Sequence, residues 1–322
     1  VRALLTGASS FTGTWIATAL AQAGFEVRAV HRRPLAAYPP LPRRRLERLR
    51  GRVELVELAA PAGPEAAALV AAWRPDLLCL HGAEVGDHRS PRFDVVDALA
   101  RSCAGLGPLL DRFARAGGRA VLATGSIFEA DEGRGAPPLR AFNPYGLAKT
   151  LAWQTIRFEA ERRGLTLGKL TIAHPVGPLD KPGLVADLLG AWRRGEAATV
   201  RRPQLVRDFV AVDALASAHA RTARRLLEEG RPLRLVPSLW PEPVGAFVGR
   251  LAAALRPRLG LACAVRLADP PEPTDEPTVR VGLDPIAELV PDWDEARFWD
   301  AVAGEARADE DESKIPSLSI NS

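Results

Sequence analysis

Val1–Gly13 reads VRALLTGASSFTG, an apolar run that stops at Thr6 and gives way to a turn carrying two glycines, Gly7 and Gly13. A short apolar run bounded by a glycine turn predicts a buried strand. The residues after it predict a helix that begins near Gly13 and stops at Gly24 in "AQAG". A strand, a tight turn and a helix in this order leave the free N–H groups of the helix start facing the turn, where they attract an anion. Gly7 suits the tight bend, and Gly13 suits close packing of helix on strand. Ser10 stands where a middle glycine lets a dinucleotide pyrophosphate approach. Its N–H and hydroxyl are therefore expected to face that pyrophosphate, with Phe11 and Thr12 beside it.

The same alternation continues along the chain. "FEVRAV", "VELVEL", "DLLCLHG", "RAVLATGS" and "LTLGKLTIAHP" are apolar runs separated by helical stretches. Such alternation predicts an α/β fold, a Rossmann-type doubly wound parallel sheet. After about residue 177 the elements shorten and prolines gather, as in "PPEPTDEP" at Pro270–Pro277. This predicts a smaller, interleaved C-terminal substrate-binding lobe. The expected division is a dinucleotide-binding domain over 1–177 and 206–239, a substrate-binding lobe over 178–205 and 240–304, and a disordered tail over 305–322.

With 322 residues and a net charge of +4, the chain is long enough for a large core and too weakly basic for nucleic acid. Eight arginines between Arg32 and Arg52 are the exception, read as an exposed helix and loop with a local phosphate site as the alternative. No apolar run approaches the ~20 residues of a membrane span. The expectation is a cytoplasmic protein without membrane contact. Three cysteines without a CxxC pair and five scattered histidines suggest neither disulfides nor a metal site.

The second strand ends in "AVHRRP", with no acidic residue to bind a ribose 2′-OH. Arg32 and Arg33 suit a 2′-phosphate instead, so NADP(H) is expected over NAD(H). Further on, "FNPYGLAKT" places Asn143 as a helix cap and Pro144 at the first helical position. Tyr145 and Lys149 then share one helical face. A tyrosine with an ordinary pKa near ~10 becomes a useful acid–base at neutral pH when a cation favours its phenolate. Lys149 is expected to supply that charge.

These motifs together resemble the extended short-chain dehydrogenase/reductase superfamily. "VLATGSIFE" resembles the strand that ends in Val-Tyr-Gly, and counting back from Ile127 makes Thr124 the hydroxyl that orients the reacting oxygen, with Ser126 in reserve. "VEL" at Val56–Leu58 resembles the adenine-side Asp-Leu, with Glu57 and Leu58 in those places. His81, Gly82 and Ala83 resemble the family's His-Leu-Ala turn beside the cofactor. His174 and Pro175 open "HPVGP", similar to Asn-Pro-x-Gly-Pro. "RDFVAVDALA" from Arg207 resembles the segment whose arginine contacts a substrate diphosphate and brings Arg207 forward as a substrate-binding residue.

The resemblance implies an oxidoreductase acting on a nucleotide-linked sugar, with Tyr145 as acid/base and Lys149 also holding the nicotinamide ribose. Sugar dehydratases carry Asp-Glu after the catalytic threonine, whereas Gly125 and Ser126 follow Thr124 here. That leaves a 4-keto-sugar reductase using NADPH or a 4-epimerase that retains its cofactor. A reading of another class is an NADP-binding sensor or scaffold without turnover. The chain departs from the family at Ser102, Phe128 and His174, and Glu272, Pro273 and Thr274 lie where a second diphosphate-binding arginine belongs. Arg201, Arg202, Arg266 and Arg280 are the candidates to replace it. Family members often pair through the helix carrying Tyr145, which implies a homodimer.

Overall fold

The computed structural model describes residues 1–83, 90 and 92–314, with side chains described to residue 308. Its centre is a seven-stranded sheet in which every neighbouring pair is parallel. The first five strands in the chain are β1 (Arg2–Thr6), β2 (Glu26–His31), β3 (Glu54–Glu57), β4 (Leu77–Leu80) and β5 (Ala120–Ser126). Across the sheet the order is Leu233–Leu235, Thr166–Ile172, β5, β4, β1, β2, β3. The winding direction reverses between β1 and β4. Ligands of open α/β sheets bind in the crevice at the carboxyl ends of the strands flanking such a point.

Both faces of the sheet are covered because alternate side chains of each strand point to opposite sides. Ala3 and Leu5 of β1, Leu77 and Cys79 of β4, and Ala120 and Leu122 of β5 belong to one core. Leu4, Leu78, Val121 and Ala123 belong to the other. Over the first core lie α1 (Phe11–Gln22), α2 (Pro40–Leu49) and helix Val212–Glu229. Over the second lie α3 (Pro64–Trp73), α5 (Leu106–Arg115) and α6 (Pro144–Glu161), with α4 (Val95–Cys103) beside α6. Strands β1, β4 and the first part of β5 carry continuous apolar stretches, as parallel strands buried on two faces require.

A second, mixed sheet is built on strand Val206–Ala211. It pairs antiparallel with Trp240–Pro243 and parallel with both Val279–Val281 and His174–Val176. This arrangement carries Arg207 and His174 on adjacent strands of one layer. No helix among the described residues is long and apolar enough to cross a membrane, and no group of possible metal ligands is found among them.

Two expectations need correction. Helix α1 begins at Phe11 rather than near Gly13, because Ser10 already has extended backbone and caps the helix. The tail expected from residue 305 is not irregular there, since the last helix runs Glu295–Lys314. Ala306 packs into the main core, and Glu305 pairs with Arg44 of α2. The acidic composition of this stretch concealed a helix held by its first turns. Residues 315–322 of the expected tail lie outside the described residues.

Candidate active site

At the end of β1, Gly7 adopts φ +80, and a Cβ there would lie 2.8 Å from Gly82 Cα. The turns after β1 and β4 therefore meet through two glycines on the floor of the crevice. A Cβ on Gly13 would lie 2.2 Å from Gly7 O, so α1 approaches its own turn as closely as a side-chain-free residue allows. Ser10 does not take the expected part. Its N–H donates to Gly7 O at 3.1 Å, and its hydroxyl donates to Gly7 O at 2.9 Å while accepting from Gly13 N at 3.0 Å. Ser10 replaces a glycine by closing the turn from within as a helix cap, and Phe11 and Thr12 are left to offer the N–H groups of the first helical turn.

His81 ties this turn to β5. Its Nε2 lies 3.1 Å from both Ser10 Oγ and Thr12 Oγ1, and its Nδ1 lies 3.0 Å from Thr124 Oγ1. Ser10 already gives its one hydroxyl proton to Gly7 O, so the contact with Nε2 requires the proton on that nitrogen. Nδ1 then accepts from the Thr124 hydroxyl. Burial, with smaller contributions from His219 and Lys149, pushes the His81 pKa down to about 3 and keeps the ring neutral. Gly82 donates its N–H to Thr6 Oγ1 at 2.9 Å, and Ala83 is half-buried beside it.

Helix α6 begins as its sequence dictates. Asn143 Oδ1 accepts from Gly146 N at 2.9 Å with Pro144 in the first turn. A Cβ on Gly146 would lie 2.1 Å from Phe128 O, so the helix start presses against the turn that follows β5. Lys149 Nζ donates to Thr124 O at 2.7 Å. Tyr145 shares a side-chain hydrogen bond with Ser126, while burial, followed by the Glu129 charge, pushes its pKa up to about 12. The expected lowering by Lys149 is absent from this state: burial lowers the Lys149 pKa too, and its ammonium is anchored on a carbonyl. The phenol is thus held protonated. Ser126, the reserve candidate, is the hydroxyl bonded to Tyr145, whereas Thr124 is engaged by His81.

An aromatic wall continues from Tyr145. Phe93 and Phe128 meet its ring edge-on at 5.9 and 6.3 Å, Phe142 stacks on Phe128 at 4.9 Å, and His174 lies 5.7 Å from Phe128. His174 has a buried Nδ1 with no hydrogen-bond partner among the described residues, and burial pushes its pKa down to about 3. Pro175 follows it on the same strand, half-buried.

Arg207 departs from its expected exposure to substrate. Its side chain is 3% exposed and bonds Val206 O and Pro277 O at 2.9 Å and Glu276 Oε2 at 2.9 Å. Among the other arginines considered, Arg280 is buried and donates to the carbonyls of Glu129, Glu132 and Arg140. Arg201 pairs with Glu272 at 3.7 Å, Arg202 pairs with Glu276 at 3.5 Å, and Arg266 is exposed on the strand Val265–Leu267.

At the far end of the crevice, Arg32 and Arg33 are exposed just beyond β2. The Arg32 N–H donates to the Tyr38 hydroxyl at 2.9 Å, and the Arg33 guanidinium lies 6.0 Å from the Tyr38 ring. Glu57 ends β3 exposed, and Leu58 is buried with its N–H on His31 O at 2.8 Å. A helix start at the switch point, first-turn N–H groups and neutral hydroxyls, with exposed arginines further along, suit a phosphate-bearing dinucleotide.

Residues 3–233 match the model of the NAD dependent epimerase/dehydratase family. The chain belongs to that family. No curated protein matches it. Among solved structures it is similar to UDP-glucose 4-epimerase of Thermotoga maritima, at 18% identity and TM-score 0.73, over 96% of this chain and 100% of that one. It is similar to UDP-glucose-4-epimerase of Stenotrophomonas maltophila with bound NAD, at 20% identity and TM-score 0.73, covering 97% and 99%. DesIV, a dTDP-glucose 4,6-dehydratase of Streptomyces venezuelae, follows at 19% identity and TM-score 0.71, covering 97% and 98%. At these identities the likeness is one of fold.

Sequence reasoning missed one part of this candidate site. Beneath Gly125, Lys169 Nζ bonds Glu129 Oε2 at 2.5 Å and Glu132 Oε1 at 2.7 Å, all three buried. Glu129 Oε1 accepts from Ser126 N at 2.7 Å, and Glu132 also receives Thr171 and Arg234. A Cβ on Gly125 would lie 2.4 Å from Lys169 Cε, so a side chain following Thr124 is excluded by this pair. Two signals were available: a lysine in the middle of a buried strand, and Glu129 in the place of the last residue of Val-Tyr-Gly.

Proposed function

We propose that the protein is a 4-keto-sugar reductase that takes NADPH and a nucleotide-linked sugar. The observation that carries the reading is Tyr145, held as a protonated phenol in a hydrogen bond with Ser126, with Lys149 four residues along the same helix. Phe11 and Thr12 at the start of α1, with Gly7, Gly13, Gly82 and Ala83 beneath, would hold the pyrophosphate. Glu57 and Leu58 would flank the adenine, Arg32 and Arg33 would take the 2′-phosphate, and His174 and Pro175 would border the nicotinamide. When bound, the reduced nicotinamide supplies a hydride to the carbonyl carbon.

The side chains do the rest. A substrate carbonyl lying against Tyr145 and Ser126 accepts the phenolic proton, a general-acid step. Thr124, whose hydroxyl proton is directed to His81, offers lone pairs to that site and can orient a substrate hydroxyl. The Lys149 ammonium stabilises the phenolate left behind. Phe93, Phe128 and Phe142 restrict water around the transferred proton. Dehydration lacks its acid–base pair, since Gly125 and Ser126 follow Thr124.

A second reading is a 4-epimerase with retained NAD(P), favoured by the kind of protein named in the similar structures. The two differ in cofactor traffic. The test measures dissociation constants for NADPH and NADH, then turnover of UDP- and dTDP-linked 4-keto sugars by wild type and Tyr145→Phe. Stoichiometric NADPH consumption that falls at least about a hundredfold in Tyr145→Phe is expected, the range of a general acid–base contribution. Tighter binding of NADH overturns the NADP assignment, and C4 inversion without net cofactor consumption selects the epimerase. Turnover indifferent to Tyr145→Phe removes the catalytic assignment. NADPH binding without turnover of any such sugar leaves a sensor or scaffold.

A further inference from the structure

A buried ion pair closes the turn that follows β5. Glu129 bonds both backbone groups of Ser126: its N–H donates to Ser126 O at 3.0 Å, and its Oε1 accepts from Ser126 N at 2.7 Å. The other carboxylate oxygen takes Lys169 Nζ at 2.5 Å, and the same ammonium reaches Glu132 Oε1 at 2.7 Å. The side chains of Lys169 and Glu129 are each 1% exposed. Burying such a pair contributes little net stability compared with apolar residues of similar volume, so stability alone does not account for three charges here.

Ser126 carries the pair to the site. Its backbone is held by Glu129, while its hydroxyl accepts from Phe128 N at 3.3 Å and shares a hydrogen bond with Tyr145. Lys169 reaches the same helix from below. Its ammonium lies 4.7 Å from the Trp153 ring, and Tyr145, Lys149 and Trp153 follow one another at four-residue spacing on one face of α6. Gly125 makes the approach possible, since a Cβ there would lie 2.4 Å from Lys169 Cε and 3.2 Å from Glu129 Oε1.

We propose that Glu129 and Lys169 are positioning residues for the reaction of Tyr145: Lys169 fixes the Glu129 carboxylate, and Glu129 fixes Ser126 and turns a buried negative charge toward the phenol, keeping it loaded with its proton. The proposal rests on Tyr145 as the acid of the reductase reading and adds the device that holds the acid ready. Around the phenol stand Lys149 on its own helix, Glu129 and Lys169 from the turn and the neighbouring strand, and the neutral His174 across the Phe128 ring, with Arg207 and Arg280 behind Phe142. Of these, Glu129 acts on the phenol by its charge, in the direction that retains the proton. A charge in a buried site is felt more strongly than in water. Reduction of a carbonyl consumes the proton that this carboxylate retains. A first step that takes a proton from substrate starts from the phenolate, which the same carboxylate disfavours.

The chain has two tyrosines, so Tyr38→Phe leaves Tyr145 as the single source of tyrosinate absorbance. The test records that absorbance at about pH 10, the ordinary pKa of tyrosine, in Tyr38→Phe alone and combined with Glu129→Gln, Glu132→Gln or Glu129→Gln/Lys169→Met. Far-ultraviolet spectra at the same pH check folding. The same variants with Tyr38 restored are assayed for the alkaline limb of kcat/KM in NADPH-dependent reduction of a UDP- or dTDP-linked 4-keto sugar. Glu129→Gln keeps an acceptor for Ser126 N and removes only the charge. It is expected to raise the tyrosinate fraction at least about tenfold and to move the alkaline limb to lower pH. The double variant removes both charges together and carries the same expectation where the single one fails to fold. Glu132→Gln costs Lys169 a carboxylate without touching Ser126, and its tyrosinate fraction is expected to stay within about twofold of the reference. A tyrosinate fraction unchanged in Glu129→Gln and in the double variant overturns the proposal and leaves the reductase reading intact. An equal rise in Glu132→Gln assigns the effect to loosened packing and overturns it as well. The expected rise, in a protein that reduces no such sugar, retains the hold of Glu129 on Tyr145 and removes the reductase reading.

Discussion

His219 lies fully buried on helix Val212–Glu229, and neither ring nitrogen has a hydrogen-bond partner among the described residues. Burial lowers its pKa from 6.5 to about 3. A histidine whose folded pKa is depressed contributes stability present above the unfolded pKa and lost as pH falls toward the folded one. Stability should therefore fall between pH 6.5 and 3, with His81 and His174 acting in the same direction. Asp180 has the opposite sign. Burial raises its pKa from 3.8 to about 6, so wild type loses stability as pH climbs through that interval. His219→Leu is expected to stabilise by about 1–2 kcal/mol at pH 7, since unmet buried donors and acceptors are removed. That gain should widen below pH 6.5. Asp180→Asn should add about 1–2 kcal/mol above pH 6 and nothing below pH 4. Melting temperatures across pH 4 to 8 check both, and a pH-independent gain in either variant contradicts the assignment.

The strand Thr166–Ile172 and the turn after β5 are joined by buried charge where neighbouring strands are joined by apolar contact. Lys169 is 1% exposed, between Glu129 and Glu132 and 4.7 Å from the Trp153 ring. Lys169→Met leaves two buried carboxylates with less counter-charge, a loss of about 3–5 kcal/mol by denaturant unfolding. Adding Glu129→Gln should recover part of it, and full independence of the two changes in a double-mutant cycle contradicts the coupling. This network marks the limit of what the chain discloses one element at a time. Strands β1, β4 and β5 are legible because burial on two faces demands continuous apolar runs, and α6 is legible because Asn143-Pro144 is a local capping signal. Ser10 and Arg207 are only half legible. Each occupies its expected place, but the destination of its donors is decided by partners that spacing does not show: Gly7 O for Ser10, and a loop some seventy residues away for Arg207. The end helix is hidden for a related reason, because Arg44 and the core around Ala306 hold a sequence that reads as a solvated tail.

At the scale of the molecule, a face of α6 lies exposed among the described residues. Leu147, Leu151 and Phe158 of α6 are 44, 39 and 65% exposed, and spacings of four and seven residues keep them on one stripe. Val96 of the adjacent α4 is exposed as well. Apolar side chains grouped on an exposed face mark an interaction surface more often than a solvated one. A second copy of this chain, presenting the same two helices about a two-fold axis, is the expected occupant, since a self-complementary patch closes as a dimer. The helix that would be shared is also the one carrying Tyr145 and Lys149, so pairing would steady the groups of the proposed reaction from outside the subunit. Wild type should elute with twice the chain's mass by light scattering, and Phe158→Arg should halve it while preserving the far-ultraviolet spectrum. If the site depends on that pairing, the variant loses turnover in proportion to its monomer fraction and recovers it at high protein concentration. A wild-type monomer at micromolar concentration refutes the dimer, and full turnover in a monomeric variant shows that α6 is held in place by its own subunit alone.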